Sequence, residues 1–155
     1  MGTEIERKFQ VQGADWRRGT PVAFSQGYLN PNKERTVRVR IAGDKAFLTI
    51  KSLTRGATRA EFEYEIPVVD AEQLLALCEG PVIRKHRYVV VYEGSTWEVD
   101  EFFGDNAGLV IAEIELTSED QPFSRPPWLG AEVTHDSRYY NSSLSQHPYR
   151  EWRSG

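Results

Sequence analysis

The 155-residue sequence has one cysteine, no long apolar run and no excess of basic residues, and each shortage excludes a class of protein. A single cysteine cannot form an internal disulfide or a cysteine-rich metal centre, so Cys78 is interpreted as a packing residue. No apolar stretch approaches the roughly 20 residues that a membrane-spanning helix needs. The first residues contain no basic segment followed by an apolar core, as a secretory signal would. These absences predict a cytoplasmic protein with no membrane partner.

Charged residues are numerous but balanced. The chain has 19 lysines and arginines against 23 acidic residues, mixed along its length, for a formal charge of −4. A domain that follows a nucleic-acid backbone normally has a net basic face. We therefore expect no nucleic-acid partner, and any phosphate ligand should be compact. The length suits one hydrophobic core, and no repeat or linker interrupts it, so residues 1–155 are predicted to form a single domain.

Short segments alternate charged and apolar side chains with the period of two that is typical of β-strands. In the segment 4–9, Glu4, Glu6 and Lys8 share one face. A weaker run over 24–29 brings the number of candidate strands to eight. The other shared faces are Arg38 with Arg40, Thr49 with Lys51, Glu61 with Glu63 and Glu65, Lys85 with Arg87, Glu98 with Asp100, and Glu113 with Glu115.

For any single strand, an ordinary solvated face explains this alternation. Taken together, the faces are too purely charged, because like charges two residues apart repel unless opposite charges or ions face them. Closing the sheet would place acidic and basic faces across a lumen and would remove exposed strand edges. We predict an α+β, β-dominated fold, namely a closed eight-stranded antiparallel β-barrel, or tunnel, with a few flanking helices.

Three helical segments are expected around the strands. The first begins with Asp70 as its N-cap residue and stops at Gly80-Pro81. A second, short helix is expected after Pro126-Pro127-Trp128, and a third over 139–144.

The predicted interior suits metal-assisted phosphoryl transfer. Hard cations such as Mg²⁺ and Mn²⁺ prefer oxygen ligands, which Glu4, Glu6, Glu113 and Glu115 can supply. Arginines and lysines bind phosphate oxygens, and six of them occupy the predicted inner faces. These are Lys8, Arg38, Arg40, Lys51, Lys85 and Arg87. The alternative is that the glutamates form interior salt bridges to the arginines and bind nothing. Buried ion pairs in such number seldom stabilise a fold, which favours a binding role.

The run Glu4-Ile5-Glu6-Arg7-Lys8 resembles the N-terminal Glu-x-Glu-x-Lys signature of the CYTH superfamily, the triphosphate tunnel metalloenzymes. The resemblance continues in order along nearly the whole chain. It covers 26–29, 38–40, 49–51, 59–65, 85–88, 97–102 and 112–115. The stretch from Pro127 to Tyr139 resembles the end of short bacterial members that have one CYTH domain.

This resemblance implies a tunnel that holds a triphosphate with one or two Mg²⁺ or Mn²⁺ ions. The implied metal ligands are Glu4, Glu6, Glu113 and Glu115, with Glu61, Glu63, Glu98 and Asp100 as further or outer ligands. The implied phosphate-binding residues are Lys8, Arg38, Arg40, Lys51, Lys85, Arg87 and Arg138. Tyr28 becomes a candidate acid/base residue, and Lys85 a candidate to assist the leaving phosphate.

The resemblance leaves several functions to weigh, because family members include inorganic triphosphatases, thiamine-triphosphatases, class IV adenylate cyclases and RNA triphosphatases. The short chain has no evident base-binding element, which favours hydrolysis of inorganic triphosphate to diphosphate and phosphate. The alternatives are a class IV adenylate cyclase, hydrolysis of thiamine triphosphate or a nucleotide, and a silent polyphosphate-binding module. The expected partner is a small-molecule triphosphate, and a homodimer remains open.

Overall fold

A computed structural model describes the backbone of residues 2–154 and the side chains of residues 2–152. Nine strands dominate it. They are β1 (Gly2–Val11), β2 (Val22–Asn30), β3 (Arg35–Ala42), β4 (Lys45–Ser52), β5 (Thr58–Ile66), β6 (Glu79–Tyr92), β7 (Ser95–Phe102), β8 (Val110–Glu115) and β9 (Leu129–Glu132). The structure also has two α-helices, α1 (Val68–Leu75) and α2 (Asn141–Leu144). Short 3₁₀ segments lie at Gly104–Asn106, Ser137–Tyr139 and Tyr149–Ser154.

The first eight strands close into an antiparallel barrel. Their order is β5-β4-β3-β2-β6-β7-β8-β1, and the start of β1 pairs back onto β5, with Gly2 opposite Glu61 and Ile5 opposite Thr58. The second half of β1 pairs with β8, where Glu6 lies opposite Glu115. The short strand β9 adds to β1 beyond the β5 pairing. The predicted closed eight-stranded barrel is therefore confirmed.

The main apolar core lies outside the barrel wall, because alternation turns the apolar faces outward. On one side, Phe9 and Trp97 are completely buried and meet edge to face, with ring centroids 5.6 Å apart. The loop after β1 covers them with Trp16, and the segment before β9 covers them with Trp128. On the opposite side, α1 packs on β2, β3 and β4. Both layers shield outward faces that would otherwise meet water.

A third apolar cluster fills one end of the barrel interior. Ile83, Phe102 and Ile111 continue the inner faces of β6, β7 and β8, and they are almost completely buried. Leu144 of α2 and Tyr139 pack against them from the C-terminal segment. The last turn adds Tyr149 and Trp152, whose rings stack edge to face at 5.0 Å. The C-terminal segment therefore closes this end of the barrel with apolar side chains.

Two of the three helix predictions need correction. The first helix begins at Val68 with Pro67 as its N-cap, so Asp70 lies in the first turn and does not cap it. Pro67 has the extended conformation of a cap residue, with φ −61° and ψ 141°. The helix ends at Leu75, and Gly80 belongs to β6, where its positive φ of 72° brings it against the backbone of Ser145.

The helix expected after Trp128 is wrong, because that segment forms β9. Its backbone pairs with β1, placing Leu129 opposite Val11 and Glu132 opposite Phe9. The helical segment over 139–144 is confirmed by α2 and the preceding turn. Cys78 lies just beyond α1, packed so closely on Gly27 that a Cβ at Gly27 would stand 2.9 Å from its sulfur. Across the described backbone, no helix combines the length and apolar character of a membrane crossing.

An ion pair fastens β9 to β1. Both Nε and Nη2 of Arg7 donate to the carboxylate of Glu132, at 2.8 and 2.6 Å. These hydrogen bonds from Arg7 lower the pKa of Glu132 to about 2. The pair is partly exposed, so its contribution to stability is at most about 1 kcal/mol.

We expect Glu132→Gln to lower the free energy of unfolding at pH 7 by about 0.5–1 kcal/mol. Because the folded pKa of Glu132 lies below its unfolded value, this contribution is present above about pH 4.5 and declines towards pH 2. Urea denaturation of both proteins at pH 7 and pH 3 should show the difference shrinking by more than half. The control is Glu34→Gln, because Glu34 pairs with Arg35 at 3.7 Å and both side chains are largely exposed to solvent. A difference that is independent of pH would contradict the role of this pair.

Candidate active site

The barrel encloses a cavity of about 210 Å³ whose lining is mostly charged. Seven glutamates and six basic residues line it, and every barrel strand contributes at least one lining side chain. The glutamates are Glu4, Glu6, Glu61, Glu63, Glu98, Glu113 and Glu115, and the basic residues are Lys8, Arg38, Arg40, Lys51, Arg59 and Arg87. The alternation that turns apolar side chains outward places these charges inside.

On one side of the cavity, Glu4 is held by two cations. The Nζ atom of Lys51 donates to both carboxylate oxygens of Glu4 at 3.0 Å, and Nε of Arg59 donates at 3.0 Å. Burial opposes ionisation of Glu4, but the charges of Lys51 and Arg59 outweigh it and lower its pKa to about 2. Glu4 is therefore a carboxylate at neutral pH.

Next to it, Lys8 bridges two glutamates of neighbouring strands. Its Nζ donates to Glu113 in a short ion pair and to Glu6 at 3.2 Å. Burial disfavours the ammonium form of Lys8, but Glu113 and Glu6 outweigh it and raise its pKa. Burial also disfavours ionised Glu113, yet Lys8 and Arg87 lower its pKa well below the usual range.

A buried ion cluster of inner-face side chains lies directly beside the cavity. Asp100 is 1% exposed and accepts from Nζ of Lys85 at 2.6 Å and from Nε of Arg87 at 2.8 Å. Despite burial, Arg87 and Lys85 lower the pKa of Asp100 to about 2. For Lys85, burial outweighs the attraction of Asp100, and with the charges of Arg87 and Arg40 it lowers the pKa to about 7.

Three other carboxylates around the cavity are less well compensated by cations than Glu4, Glu113 and Asp100. Glu6 lies directly opposite Glu115, and Glu98 lies directly opposite Glu113. Burial raises the pKa of Glu6, Glu98 and Glu115, and neighbouring glutamates raise each further. Oxygen donors with excess negative charge have the chemistry that a hard divalent cation requires. No three acidic, cysteine or histidine side chains within 2–152 converge closely enough to form a ready-made metal site, since lysines and arginines occupy several of these carboxylates.

Three guanidinium groups crowd the other part of the cavity. Burial lowers the pKa of Arg40 to about 9, and the positive charges of Arg38 and Arg87 contribute. The side chain of Arg38 reaches Thr49 at 3.3 Å, but its buried Nε has no hydrogen-bond partner. A buried donor without an acceptor is costly. Like charges gathered around such a donor suit a bound polyanion.

The structure brings thirteen of the sixteen predicted site residues to the cavity, including Tyr28, whose side chain is buried in its wall. Lys85 and Asp100 lie on the same inner strand faces as Arg87 and Glu98 and bind each other beside the cavity, but they do not line it. Arg138 is not brought to the cavity. It lies on the surface, bound to Asp136 at 2.7 Å and placed over the Trp152 ring. The individual roles of these residues remain predictions.

Sequence reasoning missed three residues that belong to this charged region. Arg59 lines the cavity and binds Glu4, and its place two residues before Glu61 in the same alternation was the available signal. Gln26 and Asn141 connect cations of the site through their amides. Nothing in strand periodicity indicates that Asn141, from a helix near the C-terminus, reaches the barrel interior.

A closed eight-stranded antiparallel barrel around a cavity lined by opposing charges defines the class of this fold and site. The chain belongs to the CYTH domain family, whose family model matches residues 2–149. It is 51% identical over 155 residues to a protein named inorganic triphosphatase from Acetivibrio thermocellus, covering 99% of both chains. It is 40% identical to a protein of the same name from Nitrosomonas europaea, covering 92% of this chain and 97% of that one.

Solved structures agree with this membership. A crystal structure of an inorganic triphosphatase matches with a TM-score of 0.67 and 39% identity, covering 94% of this chain and 95% of the other. A protein from Pyrococcus horikoshii matches with a TM-score of 0.55 and 21% identity, over 76% of this chain and 81% of the other, which is evidence for the fold alone.

We expect Glu115→Gln to raise the free energy of unfolding of the metal-free protein by up to about 1 kcal/mol, because it removes one of two like charges that face each other across strands. Urea denaturation in a chelating buffer measures this change. The control is Glu65→Gln, since Glu65 shares the strand face of Glu63 but does not line the cavity. A loss of stability on substituting Glu115 would mean that its carboxylate makes a favourable contact.

Proposed function

We propose that this protein is a metal-dependent triphosphatase that hydrolyses inorganic triphosphate to diphosphate and phosphate, with residues 1–155 acting as one domain in the cytoplasm. The observation that carries the proposal is that the cavity has a part lined mainly by cations and a part lined mainly by carboxylates. On one side, the guanidinium groups of Arg38, Arg40 and Arg87 lie close together, and Nε of Arg38 has no hydrogen-bond partner. On the other side, Glu115 lies among further glutamates whose negative charges are not fully compensated. The names of the two curated relatives support the same reaction.

The guanidinium groups would hold the substrate. Arg38, Arg40 and Arg87 offer planar donor pairs that match phosphate oxygens, and Lys51 and Lys8 add point charges. A triphosphate would relieve the mutual repulsion of the three arginines and would give Arg38 Nε an acceptor. The binding energy would thus come from compensating charges that the side chains of the barrel leave unbalanced among themselves.

The residues that fit a divalent cation are Glu6, Glu113 and Glu115, with Glu4, Glu61, Glu63, Glu98 and Asp100 around them. Their oxygen-only donor set favours Mg²⁺ or Mn²⁺ over softer metals. When bound, such an ion supplies positive charge at the phosphoryl group being transferred. The ion pairs of Lys8 and Lys51 keep these carboxylates ionised and oriented.

Hydrolysis forms a bond between a water oxygen and the terminal phosphorus. It breaks the bond between that phosphorus and the bridging oxygen, so that diphosphate leaves with additional negative charge. The protein's task is to position the chain of phosphates and neutralise that charge. Arg87 lines the cavity and is anchored by Asp100, so it can meet the developing charge without moving. Tyr28 lines the same cavity, and its hydroxyl would exchange a proton with a phosphate oxygen or water, while Lys85 would support this region through Asp100.

The cavity lining favours an inorganic substrate over a nucleotide. Among the residues that the structure describes, Tyr28 and Tyr140 are the only aromatic side chains in the lining and Ala57 is the only aliphatic one. Base recognition normally uses stacking on aromatic groups, worth about 1–3 kcal/mol per base. A polyphosphate needs no such surface.

We expect Glu6→Gln to lower metal-dependent phosphate release from tripolyphosphate at least about 100-fold, because a catalytic metal contributes several kcal/mol to the barrier. Phosphate release with Mg²⁺ and with Mn²⁺ measures the effect, and the thermal midpoint shows whether the variant folds. Glu65→Gln is the matched control and should keep wild-type turnover. Unchanged turnover in the Glu6 variant would refute the metal assignment.

We expect kcat/KM for tripolyphosphate to exceed that for ATP at least tenfold, because the lining offers little surface for a base. Identifying the products separates the alternatives: phosphate from tripolyphosphate supports the proposal, whereas cyclic AMP from ATP would identify an adenylate cyclase. Binding of both ligands without turnover would identify a silent binding module.

A further inference from the structure

Two side-chain amides form a hydrogen-bonded chain between two predicted phosphate-binding cations. Gln26, on the inner face of β2, is completely buried, and its Oε1 accepts from Nε of Arg40 at 2.7 Å. Its Nε2 donates to Oδ1 of Asn141 at 2.8 Å. The Nζ atom of Lys85 lies 3.5 Å from the same oxygen. Asn141, the first residue of α2, also lines the cavity.

The cations at the two ends of this hydrogen-bonded chain, Arg40 and Lys85, determine how both amides are oriented. A guanidinium group, like a lysine in its charged form, can only donate hydrogen bonds. Gln26 must therefore turn its oxygen to Arg40, which leaves its NH₂ group for Asn141. Asn141 in turn must present its oxygen to Gln26 and Lys85. Its own NH₂ group finds no acceptor among the described side chains of residues 2–152 and their backbone, although the side chain forms part of the cavity wall.

We propose that Asn141 is a further substrate-binding residue, whose NH₂ group donates to a phosphate oxygen of the triphosphate, and that Gln26 is the positioning residue that orients it. The inference rests on the proposed function and adds a donor from the C-terminal segment to a site otherwise built from barrel strands. A neutral donor beside Arg40 and Lys85 binds phosphate without adding to the repulsion among the cations. It also places the donor on a rigid support, because Gln26 is fully buried.

The variant Asn141→Asp tests the donor directly. It keeps the oxygen that accepts from Gln26 and Lys85 but replaces the NH₂ group with a second oxygen. We expect KM for tripolyphosphate to rise at least about tenfold, with kcat within about threefold of wild type. Asn141→Ser, which removes both the NH₂ group and the amide oxygen without adding charge, should raise KM about threefold or more. The control is Asn32→Asp, because Asn32 lies in an exposed turn where its oxygen accepts from the Glu34 backbone.

The variant Gln26→Glu tests the positioning role. It keeps an acceptor for Arg40 but turns an oxygen towards Asn141, so the Asn141 amide should rotate and lose its donor geometry. KM should then rise as in Asn141→Asp, although Gln26 itself is not among the residues that line the cavity. In nitrogen-15 NMR of the metal-free wild type, the Asn141 side-chain amide should shift when tripolyphosphate is added, and in Gln26→Glu that shift should be lost.

The inference is overturned if Asn141→Asp has a KM within twofold of the Asn32→Asp control, or if the Asn141 amide resonance does not respond to tripolyphosphate. These results are separate from failure of the proposed function, which would appear as a wild-type protein that releases no phosphate from tripolyphosphate. The NMR titration does not depend on turnover and therefore tests Asn141 in either case.

Discussion

The structure depends on the compensation of charges that the barrel turns inward. Seven glutamates and six basic residues line one cavity, and several of them form ion pairs with one another. A buried charge without a partner costs several kcal/mol, so each carboxylate must meet a cation or another ligand. Glu4 and Asp100 meet this requirement through two cations each, whereas the buried Nε of Arg38 has no acceptor and the buried Glu6 keeps a raised pKa beside Glu113. The imbalance is where a metal ion and a triphosphate would complete the site.

This use of the interior determines the rest of the fold. Since the lumen is polar, hydrophobic burial must come from the outer wall. There Trp128, in the segment that leads to β9, packs over Phe9 and Trp97, and α1 covers the opposite side. One end of the interior is an exception, because Phe102 and its neighbours close it with help from the C-terminal segment. The barrel is therefore stabilised mainly by apolar packing on its outer wall. Its charged side chains are positioned by strand backbone rather than by loops.

The alternation of side chains carried most of the information that sequence alone provides. It was sufficient to predict the closed barrel and to group the charged side chains that face its interior, because strand periodicity fixes which residues share a face. It failed where no periodicity exists. Arg138 lies in a turn, where spacing says nothing about direction, and it points to Asp136 instead of the cavity. The segment after Trp128 is a strand because it pairs with the distant strand β1. Asn141 bonds to Gln26, which lies 115 residues earlier in the sequence. Neither contact has a signal in the local sequence.

The most direct test of this account is a crystal structure of the protein with Mn²⁺ and tripolyphosphate, with the metal located by its anomalous scattering. The account predicts a manganese peak inside the barrel within bonding distance of Glu6, Glu113 or Glu115, and phosphate density against Arg38 and Arg40. Manganese and phosphate bound only on the outer surface, with the ion pairs of the lumen unchanged, would contradict it.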